Sequence, residues 1–165
     1  VWRYGFLILM GVLSLFGAKN NSVATHDNHV IIGRLEKVHV MAVDMSKKAR
    51  IDTGAKTTSI DAQEIETFLR DGKEWVSFTF NNQRIQAPLV RMVRIKRHGG
   101  KPIRRPVVEL ELQLAKITKK VEVTLANRAR YHYPILIGRN FLRNHFIVDV
   151  NRIFISSSHK LIKML

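Results

Sequence analysis

The feature that most constrains this chain is an alternation of apolar and polar residues with a period of two. Residues 107–114 (VVELELQL) and 117–125 (ITKKVEVTL) repeat it around a two-residue gap. Side chains on an extended strand point alternately to opposite faces, so the pattern buries one face of a β-hairpin and does not suit a helix.

The same signal recurs along the chain. Val38, Val40 and Ala42 mark a first strand over residues 38–43, and Trp75, Phe78 and Phe80 mark another over residues 74–80. Asn81-Asn82 is a turn signal, with residues 84–90 as the return strand. Residues 92–97 and 103–109 flank His98-Gly99-Gly100-Lys101, a second hairpin tip. Tyr133-Pro134 leads into Ile135-Leu136-Ile137, a short buried strand, and residues 146–150 and 153–155 read as a closing hairpin over Asn151-Arg152. Helix is scarce. Ile65, Phe68 and Leu69 share a helical face within residues 61–69, and residues 139–144 suit one more short turn. Many short strands separated by turn signals predict an all-β domain, a closed barrel or sandwich with one or two short helices.

The N-terminal residues read differently. Arg3, an apolar run over residues 4–16, and the small-residue pattern Ser22-Val23-Ala24 predict a signal peptide over residues 1–24 and a periplasmic destination. The run is shorter than the roughly 20 residues of a membrane span, so no stable membrane insertion is expected after cleavage, an uncleaved anchor being the other reading. Residues 25–30 are then a flexible segment, 31–156 the domain and 157–165 a tail.

The chain has no cysteine, which excludes thiol nucleophiles, disulfides and cysteine-ligated zinc. Its formal charge of +15 admits nucleic acid, an anionic surface or acidic substrates as partners, and also a merely solvated basic surface. Arg91, Arg94, Lys96, Arg97, Lys101, Arg104 and Arg105 cluster about the Gly99-Gly100 tip. Charges there keep strands from pairing edge to edge. The aromatic residues 75, 78 and 80 alternate as core residues do, which argues against base stacking and against a nucleic-acid partner. No His-Glu-x-x-His and no phosphate-binding Gly-rich loop occurs, and His26-x-x-His29 is the one close histidine pair. No metal site is assigned.

Two strings carry the chemistry. Asp52-Thr53-Gly54-Ala55 follows an apolar strand and precedes Thr57, Thr58 and Ser59, which puts an aspartate on a tight, hydroxyl-rich loop. Pro134-Ile135-Leu136-Ile137-Gly138-Arg139-Asn140-Phe141-Leu142 is the second. In this order the pair resembles retroviral aspartic proteases, and more closely the bacterial retropepsin-like proteins often labelled ATP-dependent zinc proteases.

The resemblance implies an aspartic endopeptidase acting on peptides or proteins without a cofactor. Asp52 would be the catalytic carboxylate, Thr53 would lock two active-site loops together, and Gly54 would hold the carboxylate. Ala55, Gly99 and Gly100 would meet the substrate, the two glycines as the tip of a flap. Gly138 would cross against the Asp52 loop, with Arg139 supporting it. Hydrolysis by carboxylates needs two of them sharing one proton, one acting as base on water while the other donates to the scissile carbonyl. The chain has a single Asp-Thr-Gly, so the second aspartate must come from a second copy and the active form must be a homodimer. One departure stands out. Retroviral enzymes carry an acidic partner for the arginine of Gly-Arg-Asn two places after the motif glycine, and here that place is Lys56. Arg139 therefore needs Asp61, Glu64 or a backbone carbonyl instead. The rival reading is a non-catalytic domain of the same fold that binds peptide or envelope polymer.

Overall fold

Strand pairing closes a ring. A computed structural model describes residues 29–97 and 100–156. In chain order the strands are β1 (Val30–Gly33), β2 (Leu35–Val40), β3 (Met45–Ile51), β4 (Thr58–Asp61), β5 (Gln63–Arg70), β6 (Lys73–Phe80), β7 (Gln83–Arg97), β8 (Gly100–Leu114), β9 (Ile117–Ala126), β10 (Ile135–Ile137) and β11 (Phe146–Asp149). One short helix, α1, covers Arg139–Leu142. The main sheet runs β2-β3-β10-β4-β9-β8-β7-β6-β5, and β2 also pairs with β8. That extra pairing joins β2, β3, β10, β4, β9 and β8 into a closed barrel and leaves β7, β6 and β5 as an extension.

The alternation read from the sequence is what fills the barrel. Val108, Leu110, Leu112 and Leu114 of β8 and Val121, Val123 and Leu125 of β9 point inward and are buried, together with Val38, Val40, Ile135 and Ile137. Phe78 and Phe80 are buried in the same core, so neither is open to a nucleic-acid base. Asn81 and Asn82 both take the left-handed conformation, as the tight β6–β7 hairpin requires.

Several expectations are corrected. Residues 61–69 form no helix. They end β4 and supply most of β5, which pairs antiparallel with β6 through Phe68 opposite Trp75. Ile65 and Leu69 stay exposed, so the apparent helical face had nothing to bury against. A register shift between Gln63 and Glu66, with Glu64 at positive φ, breaks the period-two signal that would have marked a strand.

The first strand ends at Val40, and Met41–Val43 turn as a 3-10 helix. Residues 84–97 lie within one long strand with an irregularity between Leu89 and Arg91, and residues 103–114 within another. The closing hairpin over Asn151-Arg152 is absent. β11 pairs instead in parallel with β1, which takes in Val30, the last residue of the segment read as loose. The segment after β11 turns back so that Ile155 and Ser156 donate backbone N–H bonds to the Glu36 carboxylate at 3.2 and 3.3 Å. Glu36 is fully buried, and Gly33 N–H and the Ser156 hydroxyl also bond to it, at 2.7 and 2.6 Å. A carboxylate with four donor groups is a satisfied buried charge. Residues 1–24, the signal-peptide reading, lie outside the described residues, as do His26, His98, Gly99 and the tail 157–165.

Candidate active site

Asp52 stands one residue beyond β3, where two strands of the ring meet. Ile51 is buried and pairs in parallel with Ile137 of β10. The Asp52 N–H continues that ladder by donating to Ile137 O at 2.9 Å. Its side chain then turns back over its own loop. The carboxylate Oδ1 accepts the N–H groups of Gly54 at 3.0 Å and Ala55 at 3.1 Å. A Cβ on Gly54 would sit 3.3 Å from that same oxygen, so the loop is tight enough to favour glycine. The other oxygen, Oδ2, has no hydrogen-bond partner among the described residues. Thr53 and Gly54 are exposed at the apex, while Asp52 is half-buried beneath them.

The second string crosses this loop from behind. Gly138 packs on the backbone of Thr57 and Thr58, and a Cβ there would fall 2.6 Å from the Thr57 carbonyl carbon. Only glycine permits that approach. Gly138 N–H donates to the Thr58 hydroxyl at 3.2 Å. That hydroxyl and the Thr58 N–H both donate to Asn140 Oδ1 at 2.9 Å, and Asn140 Nδ2 donates to Glu122 O at 2.8 Å. One side chain thus ties the Asp52 loop, α1 and β9 together.

Arg139 finds a backbone partner in place of an acid. Its Nη1 donates to Thr53 O at 3.0 Å and Gly54 O at 2.6 Å, and its N–H to Ala55 O at 2.9 Å. Asp61 is otherwise engaged, accepting the Arg128 N–H at 2.6 Å, and Glu64 bonds Thr79 and Arg84. Lys56 is exposed and forms no ion pair among the described residues.

Sequence reading missed Arg128. It is buried, with Nη1 on the Ser59 hydroxyl at 3.1 Å, Nε on Tyr133 O at 3.2 Å, and its guanidinium over the Tyr131 ring at 4.5 Å. Burial pushes its pKa below the ordinary arginine value, opposed by Tyr131, Asp61 and Asp52, while Arg105 adds to the lowering. Arginine stays charged through such a change. Arg128 thereby fixes a buried positive charge beside Ser59, four residues after the Asp-Thr-Gly-Ala string. Its bonding partners lie outside both motifs, so neither motif reveals it.

Of the residues expected at the site, Asp52, Thr53, Gly54, Ala55, Gly138 and Arg139 come together. Gly100 pairs with Arg97 near the tip of the β7–β8 hairpin. Among the described residues no three His, Cys, Asp or Glu side chains group as metal ligands.

Residues 31–159 match the model of a family described as RimB-like, retropepsin-like aspartic endopeptidase RimB. The chain belongs to this RimB-like family. The crystal structure of a Legionella pneumophila protein of unknown function superposes with a TM-score of 0.68 at 30% identity, covering 77% of this chain and 98% of that one. Longer relatives carry a different name. A probable alpha-L-glutamate ligase of Desulfotalea psychrophila is 40% identical over 110 residues, which is 62% of this chain and 24% of the ligase. One from Shewanella pealeana is 36% identical over 137 residues, 78% of this chain and 30% of the ligase. The chain thus spans 24–30% of the length of these relatives. The all-β retropepsin-like fold expected from the motifs is the fold of this RimB-like chain.

Proposed function

We propose that this RimB-like domain is an aspartic endopeptidase whose site forms when two copies bring their Asp52 carboxylates together. One observation carries the reading: Asp52 is gripped through one oxygen by Gly54 and Ala55 N–H groups, on a loop whose apex is exposed. The grip orients the carboxylate and leaves Oδ2 to address a water. The partner's carboxyl, sharing the proton, donates to the scissile carbonyl. Thr53, exposed beside it, meets the equivalent residue of the second copy in the proposed dimer. Gly99, Gly100 and Ala55 contact the substrate from flap and floor.

The substrate we propose is a peptide carrying carboxylate side chains. Lys56 and Arg139 set positive charge about the Asp52 loop. The relatives that share this domain are named as glutamate ligases, which gives acidic peptide chemistry a second support. Residues 1–24 are proposed to direct the protein to the periplasm. Among the described residues no helix is long and apolar enough to cross a membrane.

The test is incubation of the protein with an acidic peptide library beside the Asp52→Asn variant. Wild type should cleave and the variant should not, because an amide cannot accept the proton of water. EDTA should leave cleavage unchanged. An inert wild type would favour a peptide-binding role for the same fold, and loss of cleavage with EDTA that zinc restores would favour metal chemistry.

A further inference from the structure

The outer face of β2 and β3 carries an unneutralised cluster of cations. Lys37 of β2 stands directly opposite Lys48 of β3, and both are exposed. Like charges facing one another across an antiparallel pair repel and cost stability. Together with Ser46, Lys47, His132 and Pro134 they line a cavity of about 370 Å³. Among the described residues no carboxylate pairs with any of the three lysines, and Lys48 has only the Phe154 ring beneath it at 5.8 Å. Of the acids close in sequence, Glu36 is fully buried among its own donors and Asp44 is held by His39 Nε2 at 3.1 Å. The other nitrogen of His39 lies 3.2 Å from the Ser46 hydroxyl, which fixes that hydroxyl at the cavity wall.

The cavity lies beside the strand that leads into the active site. Residues two apart on a strand share a face, so Lys48 and Arg50 form one row on the outer face of β3, which ends one residue before Asp52. Exposure agrees with this, since Lys48 and Arg50 are open while Ala49 and Ile51 are buried. At about 3.3 Å per residue, Lys48 lies roughly 13 Å along the strand from Asp52. An extended peptide covers that length with about four residues.

We propose that this cavity is a remote subsite that takes a carboxylate side chain of the bound peptide, about four residues from the scissile bond. The inference rests on the endopeptidase reading for the position of the bond. The anion site itself stands on the lysine geometry. Lys37 and Lys48 grip the carboxylate, and occupancy relieves the repulsion between the lysines. The subsite sets the register of the peptide over Asp52 and takes no part in bond cleavage.

Two measurements test it. In the first, a fluorescein-labelled oligoglutamate decapeptide is titrated, by anisotropy, into the full chain carrying Asp52→Asn. Adding Lys37→Gln and Lys48→Gln should weaken binding about tenfold and flatten its salt dependence, with an oligoglutamine decapeptide unaffected. The Lys37→Arg, Lys48→Arg pair should bind as the parent does. In the second, a single glutamate is walked along a cleavable neutral peptide. KM should fall at one position, about four residues from the cut, with kcat unchanged, and the benefit should vanish in the Gln variant. Unchanged oligoglutamate binding in the Gln variant overturns the subsite even if cleavage is found. Absence of all cleavage counts against the endopeptidase reading, and the binding titration then still decides the subsite.

Discussion

Thr58 and Asn140 lie 82 positions apart in the chain, yet Asn140 Oδ1 receives both the N–H and the hydroxyl of Thr58 at 2.9 Å. The contact locks the strand that follows the Asp52 loop to the helix that follows Gly138. The positioning of the carboxylate therefore depends on an amide that is itself nowhere near the reacting atoms.

Asn140→Ala should destabilise the domain. It removes two hydrogen bonds to Thr58 and one to Glu122 O, each worth about 0.5–1.5 kcal/mol net, for a loss of about 2–3 kcal/mol. Thermal unfolding should show the midpoint lower by roughly 8–12 °C. Asn140→Asp should fall between the two, since it keeps the acceptor and loses the donor.

Arg139→Ala should lower cleavage more than stability. The guanidinium holds Thr53 O and Gly54 O from an exposed position, so its loss frees the apex of the loop without opening the core. A misplacement of about 1 Å at a reacting group can lower a rate on the order of a hundredfold. We expect kcat to drop by about ten- to a hundredfold with the unfolding midpoint nearly unchanged. Arg139→Lys should recover part of it, as a lysine reaches one carbonyl but lacks the planar fork.

Specific activity should fall on dilution. With one Asp-Thr-Gly per chain, two copies are needed for a dyad. Sedimentation and cleavage measured over the same dilution series should lose dimer and activity together. Full activity in a monomeric sample would contradict the shared site.

Glu36→Ala should loosen the segment after β11. It leaves Gly33, Ile155 and Ser156 N–H groups without their acceptor, a loss of about 3 kcal/mol or more. Hydrogen exchange at Ile155 and Ser156 should accelerate far more than exchange at Val108 or Val123 in the barrel.

Much of this fold was legible because its signals are local. Alternation over residues 107–125 and the Asn81-Asn82 turn depend on neighbours a few positions away, and both appear as β8–β9 and the β6–β7 hairpin. The Asp52 loop and the Gly138 crossing were legible from two short strings. What stayed hidden depends on partners far apart in sequence. Glu36 meets Ser156 across 120 positions and Arg128 meets Ser59 across 69. Residues 61–69 misled for the opposite reason, since a local helical spacing was overruled by pairing with β6. Arg139 shows a middle case. The absence of an acid at Lys56 was visible, but not the choice of backbone carbonyls over Asp61, whose Oδ1 accepts the Arg128 N–H.

The parallel pairing of β1 with β11 has an architectural consequence. Val30 begins beside Phe146, and the chain leaves past Gly33 where Ser156 reaches Glu36. Entry and exit of the described unit are thus separated by little more than the length of one short strand, roughly 10 Å. A unit tethered through a single neck can be grafted onto a larger polypeptide without the host straining its ring.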